Sequence, residues 1–330
     1  MSRRIDIITL GEAMVRLSPP DFQRLEQATT LDLRIGGAEL NVAVGAARLG
    51  LKTAWISKLP DNPLGRMTAN KAREHGVDVS QVLWTKGERM GLYFVEFGAQ
   101  PRASSVLYDR AGAAIASLQP TDFDWPSIFA QARVFHISGI TPALSPSCAE
   151  ATLAAARAAK QAGCTVSVDV NYRSKLWGEP EANRVMTELM AHTDILITTE
   201  EDTKKVFGIE APDYHDVARE LQRRFSLDAV AITLRETPSV LRNLWSAFAV
   251  AGDLLYESPT YEVEIVDRLG AGDSFTAGFL WGYLQGDIGK GVAYGTAFSA
   301  LKHSQPGDFH WGTLAEVEAL VKGAGLRIQR

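Results

Sequence analysis

Short apolar runs rich in β-branched residues alternate with helical patterns along most of this chain. Buried strands are predicted at 5–10, 53–57, 133–138, 165–170, 194–198 and 229–234, with one more leading into Gly270. Helices are predicted at 40–49, 63–75, 149–161, 200–207, 215–225, 272–285, 290–302 and 314–321. Strands that alternate with helices pair in parallel and carry helices on both faces. The pattern therefore predicts an α/β fold with a three-layer α/β/α core.

Two segments interrupt this alternation. Residues 13–35 and 88–112 contain alternating stretches such as LYFVEF and SSVLY, with no helical pattern between them. They predict a small antiparallel sheet inserted into a single domain that spans 1–330. Two domains of about 150 residues each are the alternative at this length. Ligands of α/β folds bind at the carboxyl ends of the core strands, where such an insert could act as a lid.

Charge and cysteine content exclude several classes of function. The chain has 34 Lys and Arg against 39 Asp and Glu, a formal net charge of −5, which disfavours binding to nucleic acid or to an anionic membrane. Its two cysteines, Cys148 and Cys164, form no C-x-x-C pair, which excludes a disulfide framework and favours a reducing compartment. The sequence shows no targeting segment and no run of about 18 apolar residues. We therefore expect a cytoplasmic protein.

A glycine-rich turn leads into the most informative helix of the sequence. The segment EIVDRLGAGDSFTAG places Gly270, Ala271 and Gly272 directly before Asp273 and a helical pattern. Backbone N–H groups at such a helix start bind anions. Asp273 would repel a phosphate unless it has a task of its own, such as accepting the proton of an alcohol. The segment predicts phosphoryl transfer to a hydroxyl group, and a turn with Asp273 as a helix cap is the structural alternative.

A polar triplet leaves the strand predicted at 165–170. Asp169, Asn171 and Arg173 alternate along the chain, so they are expected at the carboxyl edge of the sheet. The planar guanidinium of Arg173 could bind a carboxylate or a phosphate. A surface salt bridge is an equally simple interpretation.

Two weaker signals lie elsewhere. A glycine pair before a helix can bring backbone and an amide close to a polyhydroxyl ligand, or it can form an ordinary turn. Two tyrosines and an arginine in the inserted segments can line a ligand site, although tyrosines there more often pack. These residues are Gly36, Gly37 and Asn41 in the first group and Tyr93, Tyr108 and Arg110 in the second.

Taken together, these motifs resemble the ribokinase-like (PfkB) family of carbohydrate kinases over nearly the whole chain. Its amino-terminal glycine signature is similar to residues 36–50, and its carboxyl-terminal signature D-T-x-G-A-G-D is similar to residues 267–273. The resemblance implies a Rossmann-like core with a β-sheet lid, ATP as phosphoryl donor, Mg²⁺ as cofactor and, as an option, a monovalent cation. It also implies that Asp273 is the catalytic base and that Gly270, Ala271 and Gly272 form the anion hole.

Within the family, the chain most resembles the 2-keto-3-deoxygluconate kinases. Residues 36–41, 108–110 and 169–173 read Gly-Gly-Ala-Glu-x-Asn, Tyr-x-Arg and Asp-x-Asn-x-Arg, as in that branch. A sugar acid carries a carboxylate, whose desolvation calls for arginine or a comparable donor set. The resemblance implies a substrate site at Gly36, Gly37, Asn41, Tyr93, Tyr108, Arg110, Arg173 and Asp273, a nucleotide site at Asn171, Arg173, Thr199, Thr233, Arg235, Gly270 and Gly272, and a metal ligand at Asp202.

Three places depart from the family pattern near the nucleotide. Thr199 and Asp202 stand where the family has Asn and Glu. Arg268 replaces a small threonine, and residues 235–239 lack the glycines that normally follow the preceding strand. Nucleotide preference, metal placement and the monovalent cation are therefore open.

The sequence predicts an ATP-dependent kinase that converts 2-keto-3-deoxygluconate to 2-keto-3-deoxy-6-phosphogluconate. A kinase of a neutral sugar such as fructose is one alternative, and a catalytically silent sugar-binding protein is another. An exposed inserted sheet would suit pairing with a second copy, so we expect a homo-oligomer, a dimer or larger.

Overall fold

A ten-stranded sheet runs through the centre of the molecule. The structure, a computed structural model, describes residues 4–323. Within that range the strands of this sheet are β1 (Ile5–Leu10), β4 (Thr53–Pro60), β5 (Val82–Thr85), β8 (Ala132–Ser138), β9 (Thr165–Asp169), β10 (Ile195–Thr199), β11 (Ala229–Ser239), β12 (Arg242–Ala251), β13 (Leu254–Glu257) and β14 (Tyr261–Glu264). Their order is β13-β12-β11-β10-β9-β8-β1-β4-β5, with β14 also paired to β12. The strands from β11 to β5 in this order pair in parallel.

Helices cover both faces of the sheet. They are α1 (Ala38–Arg48), α2 (Pro63–Glu74), α3 (Trp125–Phe129), α4 (Pro146–Gln161), α5 (Glu179–Met190), α6 (Glu200–Phe207), α7 (Tyr214–Phe225), α8 (Ala271–Leu284), α9 (Ile288–His303) and α10 (Leu314–Val321). Helices α1, α8, α9 and α10 pack on one face, α3 to α7 on the other, and α2 beside α1. The predicted α/β fold with helices on both faces is thereby confirmed. No helix between residues 4 and 323 is long and apolar enough to cross a membrane.

Local sequence sets the ends and faces of these helices. In α4, Ser145 Oγ accepts the N–H of Cys148 at 3.1 Å and caps the first turn. The buried side of the same helix carries Ala151, Ala155 and Ala159, each fully buried and one turn apart. Small side chains at this spacing let the helix lie close to the sheet.

A second sheet of four strands stands apart from the large one. We call it the small sheet; it consists of β2 (Met14–Ser18), β3 (Asp32–Gly36), β6 (Gly91–Glu96) and β7 (Ser105–Asp109) in the order β3-β2-β6-β7. The prediction of a purely antiparallel sheet is wrong, because β2 and β6 pair in parallel. These two strands come from separate inserted segments, and the long connection between them permits a parallel pair.

One face of the small sheet carries an exposed apolar row. Leu33, Leu17, Phe94 and Leu107 lie opposite one another across the four strands. Leu33 is 48% exposed and Leu107 60% exposed, although both are aliphatic. The opposite face carries Arg16 and the aromatic side chains that border the site described below.

The carboxyl-terminal half contains elements that the apolar pattern did not predict. Strand β11 continues to Ser239 and forms a long hairpin with β12, so the predicted end at 234 is wrong. The strand expected before Gly270 ends at Glu264, since the N–H groups of Val266 and Asp267 donate to the carbonyl of His303 instead. Residues 235–239 and β14 carry few apolar side chains, and their pairing is decided by neighbours that are distant in sequence.

A buried arginine ties the small sheet to the carboxyl-terminal half. Arg16, on β2, is 1% exposed and contacts Asp267 and Asp308, each at 2.7 Å. The hydroxyl of Tyr93 donates to Asp308 Oδ2 at 2.6 Å. Burial acts to lower the pKa of Arg16, but Asp308 and Asp267 outweigh it and raise that pKa. The guanidinium of Arg16 therefore stays charged, and its contacts link β2, β6 and the loops around α8.

We predict that Arg16→Met lowers the free energy of unfolding by about 3–5 kcal/mol, because it leaves two buried carboxylates without their partner. Arg66→Met is the control, since Arg66 pairs with Asp61 at the surface, where an ion pair contributes about 0–1 kcal/mol. Urea denaturation of the three proteins measures both changes. Equal losses for the two variants would contradict a special role of the buried cluster.

Candidate active site

The predicted site residues come together at the carboxyl ends of the parallel strands. Glu12 follows β1 after one glycine, and Asn171 and Arg173 follow β9. The small sheet borders the same edge. Ligands of α/β sheets bind at this edge, so the fold places these side chains where a substrate is expected.

Two adjoining pockets occupy this edge. We call them the inner pocket, of about 110 Å³, and the outer cleft, of about 370 Å³. The inner pocket is lined by Gly36, Gly37, Asn41, Tyr93, Tyr108, Arg110, Arg173 and Asp273, together with Glu12, Glu39 and Asp308. The outer cleft is lined by Asn171, Arg173, Thr199, Asp202, Thr233, Arg235, Gly270, Ala271, Gly272 and Asp273. Every residue predicted for the site thus lies in one of the two pockets.

The start of α8 forms the boundary between the two pockets. Gly270 precedes the helix with φ +83°, and a Cβ at this position would collide with the carbonyl oxygen of Asp308. The N–H of Ala271 donates to the carbonyl of Arg268 at 3.3 Å. In the described structure the N–H groups of Gly272 and Asp273 have no acceptor. They are first-turn donors at the positive end of the helix dipole and can bind an anion.

Asp273 sits in the first turn of α8 and belongs to both pockets. Its Oδ2 accepts a hydrogen bond from Asn41 Nδ2 at 2.7 Å, which joins α8 to α1. Burial raises the pKa of Asp273 to about 7; the Asn41 bond and Arg173 oppose this, and Glu39 adds to it. A carboxyl with a pKa near 7 can accept and release a proton at neutral pH.

The inner pocket has a wall of tightly packed polar groups. Tyr93 stacks on Tyr108 with ring centroids 6.1 Å apart, while its hydroxyl is engaged by Asp308. A Cβ at Gly36 would collide with the Tyr93 hydroxyl and the Asp308 carboxylate. Glycine is required at this position because the backbone lies against both groups. Tyr93 therefore contributes its ring to the pocket, and its hydroxyl proton is already used.

Arg110 forms an ion pair that sequence reasoning did not anticipate. Its Nη2 donates to Glu12 Oε2, and both side chains are largely buried. Burial raises the pKa of Glu12, and Arg110 opposes that rise. Glu12 Oε1 and Arg110 Nε have no partner in the described part of the chain, so both retain hydrogen-bonding capacity. Glu12 follows β1 at the ligand-binding edge, and this position was the signal that could have revealed it.

Arg173, in contrast, is exposed and has no carboxylate within ion-pair distance among residues 4–323. Its guanidinium donates to the carbonyl of Tyr172 at 3.2 Å. The preceding Asn171 has φ +39°, and its N–H donates to Asp169 Oδ1 at 3.2 Å. This bend turns the chain at the end of β9, so Arg173 borders the inner pocket and the outer cleft together.

The outer cleft combines basic and acidic side chains. Arg173, Lys205 and Arg235 provide positive charge suited to phosphates. Burial raises the pKa of Asp202, and burial together with Asp273 and Asp202 raises that of Asp169 well above its usual value. A cation bound nearby would lower these raised pKa values and stabilise the ionised form of both carboxyl groups.

The donor set of the outer cleft fits ATP with Mg²⁺. The free first-turn N–H groups and the three basic side chains suit phosphate oxygens. Residues 4–323 contain no cluster of three or more metal-binding side chains. Mg²⁺ is commonly held by one or two carboxylates together with substrate phosphates, a mode that Asp202 can serve.

Thr199 has a structural task in addition to its position in the cleft. Its Oγ1 accepts the N–H of Asp202 at 3.2 Å and caps α6. Asp308 is a second pocket residue that sequence reasoning missed, and it follows no predicted strand or motif. Only its contacts with Arg16 and Tyr93, distant in sequence, reveal it.

Comparisons with known proteins agree with this geometry. The model of the pfkB family carbohydrate kinases matches residues 4–310. A 2-dehydro-3-deoxygalactonokinase of Haloferax volcanii is 39% identical over 98% of this chain and 99% of its own length. A 5-dehydro-2-deoxygluconokinase of Shouchella clausii is 32% identical over 97% of this chain and 96% of its own.

A solved structure gives the same result for the fold. The 2-dehydro-3-deoxygluconokinase of Thermotoga maritima has a TM-score of 0.94 and 42% identity, and the match covers 98% of this chain and 99% of that one. Two further solved structures share this fold: a protein of E. coli in complex with ATP and Mg²⁺ has a TM-score of 0.85 at 21% identity, and a fructokinase of Xylella fastidiosa with bound ATP has a TM-score of 0.81 at 24% identity. The resemblance noted in the sequence is confirmed, and the chain belongs to the pfkB family of carbohydrate kinases.

Proposed function

We propose that this kinase phosphorylates the terminal hydroxyl of a 2-keto-3-deoxy sugar acid, with 2-keto-3-deoxygluconate as the first candidate. The observation that carries the proposal is the position of Asp273. Its carboxylate lies where the inner pocket meets the outer cleft, beside the free N–H groups of α8. An acceptor hydroxyl on one side can thus meet a phosphoryl group on the other.

The proposed reaction is an in-line transfer. The sugar hydroxyl oxygen forms a bond to the γ-phosphorus, the bond from that phosphorus to the β–γ bridging oxygen breaks, and ADP leaves with the electron pair. Asp273 accepts the hydroxyl proton, and Asn41 keeps the carboxylate oriented through its hydrogen bond. The N–H groups of Gly272 and Asp273, with Arg173, stabilise the charge on the transferring group. Mg²⁺ beside Asp202 would supply further neutralisation of phosphate charge.

The charges of the inner pocket support a sugar acid. One oxygen of Glu12 accepts from one guanidinium nitrogen of Arg110, whereas Arg173 has no carboxylate within ion-pair distance among residues 4–323. A substrate carboxylate would complete this set. The names of the relatives, a deoxygalactonokinase and a deoxygluconokinase, support the same substrate class.

A panel assay of ADP release tests the proposal. The panel contains 2-keto-3-deoxygluconate, 2-keto-3-deoxygalactonate, 5-keto-2-deoxygluconate and fructose, each with ATP and Mg²⁺. Turnover of a keto-deoxy acid well above that of fructose supports the proposal. Preference for fructose would favour the neutral-sugar kinase, and no turnover of any sugar would favour a silent binding protein.

We predict that Asp273→Asn lowers turnover by about 100-fold or more, because the amide cannot accept the hydroxyl proton. The fold should persist, because burial raises the pKa of Asp273 from 3.8 to about 7. The carboxyl therefore costs stability as pH rises from 3.8 to about 7, and the neutral amide avoids this cost. Asp287→Asn, in the N-cap of α9, is the matched control and should keep normal turnover. Near-normal turnover of a folded Asp273→Asn protein would overturn the mechanism.

The pH profile of kcat/KM provides a second check on Asp273. A base must be deprotonated to act, and burial raises the pKa of this one to about 7. The rate should therefore rise about tenfold per pH unit below that value and level off above it. The residual activity of Asp273→Asn should lack this inflection; the same inflection in the variant would assign it to another group.

We predict that Arg173→Ala and Arg110→Ala weaken use of the sugar acid more than use of fructose. A hydrogen bond to a charged group contributes about 1.5–3 kcal/mol, which corresponds to roughly 10- to 150-fold in kcat/KM. Arg110→Ala also leaves the buried carboxylate of Glu12 without its ion-pair partner. The double variant Arg110→Ala/Glu12→Gln removes that unpaired charge, so it isolates the contribution of Arg110 to substrate binding. Arg219→Ala, at an exposed pair with Asp216, is the control. Equal losses for both sugars would contradict the assignment to a carboxylate.

We also propose that the small sheet acts as a lid and as the surface on which a second copy packs. Its aromatic face borders the inner pocket, while the row on the opposite face ends in two exposed leucines, Leu33 and Leu107, with half-buried Leu17 and Phe94 between them. Exposed apolar rows of this kind mark interaction surfaces. Light scattering of the purified protein gives its mass; a monomer at micromolar concentration would rule out the self-association.

A further inference from the structure

The hairpin of β11 and β12 brings an unusual side chain to the outer cleft. Asn243, on β12, lines the cleft and is 1% exposed. Neither its Oδ1 nor its Nδ2 has a hydrogen-bond partner in the described part of the chain. Burying an amide without partners is costly, and native proteins rarely do so for both atoms of one side chain. A ligand that completes both bonds would explain why the residue is there.

The neighbours of Asn243 also offer polar groups to a ligand. Trp245 lies two residues further along β12, on the same face of the strand, and its buried Nε1 also lacks a partner. Trp245 packs on His303 with ring centroids 5.3 Å apart. His303 Nδ1 faces the carbonyl of Ser299 at 2.8 Å, and burial lowers the pKa of this histidine to about 4. The neutral ring therefore donates through Nδ1 and leaves Nε2 as an acceptor.

These groups can recognise a purine base by hydrogen bonding and stacking. An asparagine amide offers a donor and an acceptor side by side, which matches the amino group and adjacent ring nitrogen of adenine. Aromatic side chains add a surface for stacking. The phosphate-binding end of the same cleft is formed by the start of α8 and by Arg173 and Arg235. A base placed beside β12 would belong to the same bound nucleotide.

The sequence around the hairpin fits this assignment. Residues 235–239 lack glycine, and β11 continues through them instead of ending in a tight turn. In this chain the wall of the cleft is thus built from side chains of two paired strands. Arg268, which also lines the cleft, donates to the carbonyl of Val240 at 3.1 Å and holds the hairpin tip.

We propose that Asn243 is a base-recognition residue of this kinase, which hydrogen-bonds the adenine of ATP through both atoms of its amide. Trp245 borders the same base. The proposal depends on nucleotide binding in the outer cleft and does not depend on the identity of the sugar.

Calorimetric titration of ATP and GTP into the full-length protein, without sugar, tests the proposal. Asn243→Leu keeps the branched shape of the side chain and replaces both polar atoms with methyl groups. We expect it to raise the melting temperature of the free protein, weaken ATP binding at least tenfold and reduce the preference for ATP over GTP by a similar factor. Asn243→Asp, which keeps the shape but loses the donor, should also weaken ATP binding and serves if the leucine variant does not fold.

Asn183→Leu is the matched control. Asn183 Nδ2 donates to the carbonyl of Val206 at 2.7 Å, and neither residue lines the cleft, so its loss should lower the melting temperature and leave the Kd for ATP unchanged. Unaltered ATP affinity and ATP-to-GTP preference in both Asn243 variants would overturn the proposal. An equal loss of ATP and GTP affinity would also overturn base recognition. Failure of the parent protein to bind ATP would instead argue against the nucleotide site itself.

Discussion

The ion pairs of Arg16 hold together the parts from which the site is built. Arg16 belongs to the small sheet, Asp267 opens the segment before α8, and Asp308 lies near the carboxyl end of the chain. Three charged groups removed from water stabilise a structure only when their geometry is well matched. Here both carboxylates lie 2.7 Å from the guanidinium, and Tyr93 adds a further bond to Asp308. The backbone carbonyl of Asp308 lies so close to Gly270 that a Cβ there would collide with it. The cluster therefore also positions the start of α8.

The site itself is dominated by acidic groups whose charge is costly. Burial raises the pKa of Asp273, of Asp169 and of Asp202, and the basic side chains nearby are mostly exposed. Phosphates would engage those basic side chains, and a divalent cation would favour ionised carboxyls. The arrangement is therefore suited to a site that is completed by its substrates.

Much of the fold could be predicted because its signals are local. The apolar runs of β1, β4, β8, β9 and β10 report burial in a parallel sheet directly, since both faces of such strands are covered. The hairpin of β11 and β12 and the parallel pair of β2 with β6 could not be predicted in this way. Strand pairing depends on residues far apart in sequence, and alternating polar patterns fit several partners equally well.

The sequence by itself determined the start of α8. Its glycines permit the left-handed turn at Gly270, and the residues that follow form a helix whose first turn must carry free N–H groups and Asp273. Only the tertiary structure decided the pairing of Glu12 with Arg110, the pKa of Asp273 and the unpartnered amide of Asn243. Each of these depends on burial and on neighbours from separate segments of the chain. They cannot be predicted from any local stretch of sequence, because the contacts form only when the chain has folded.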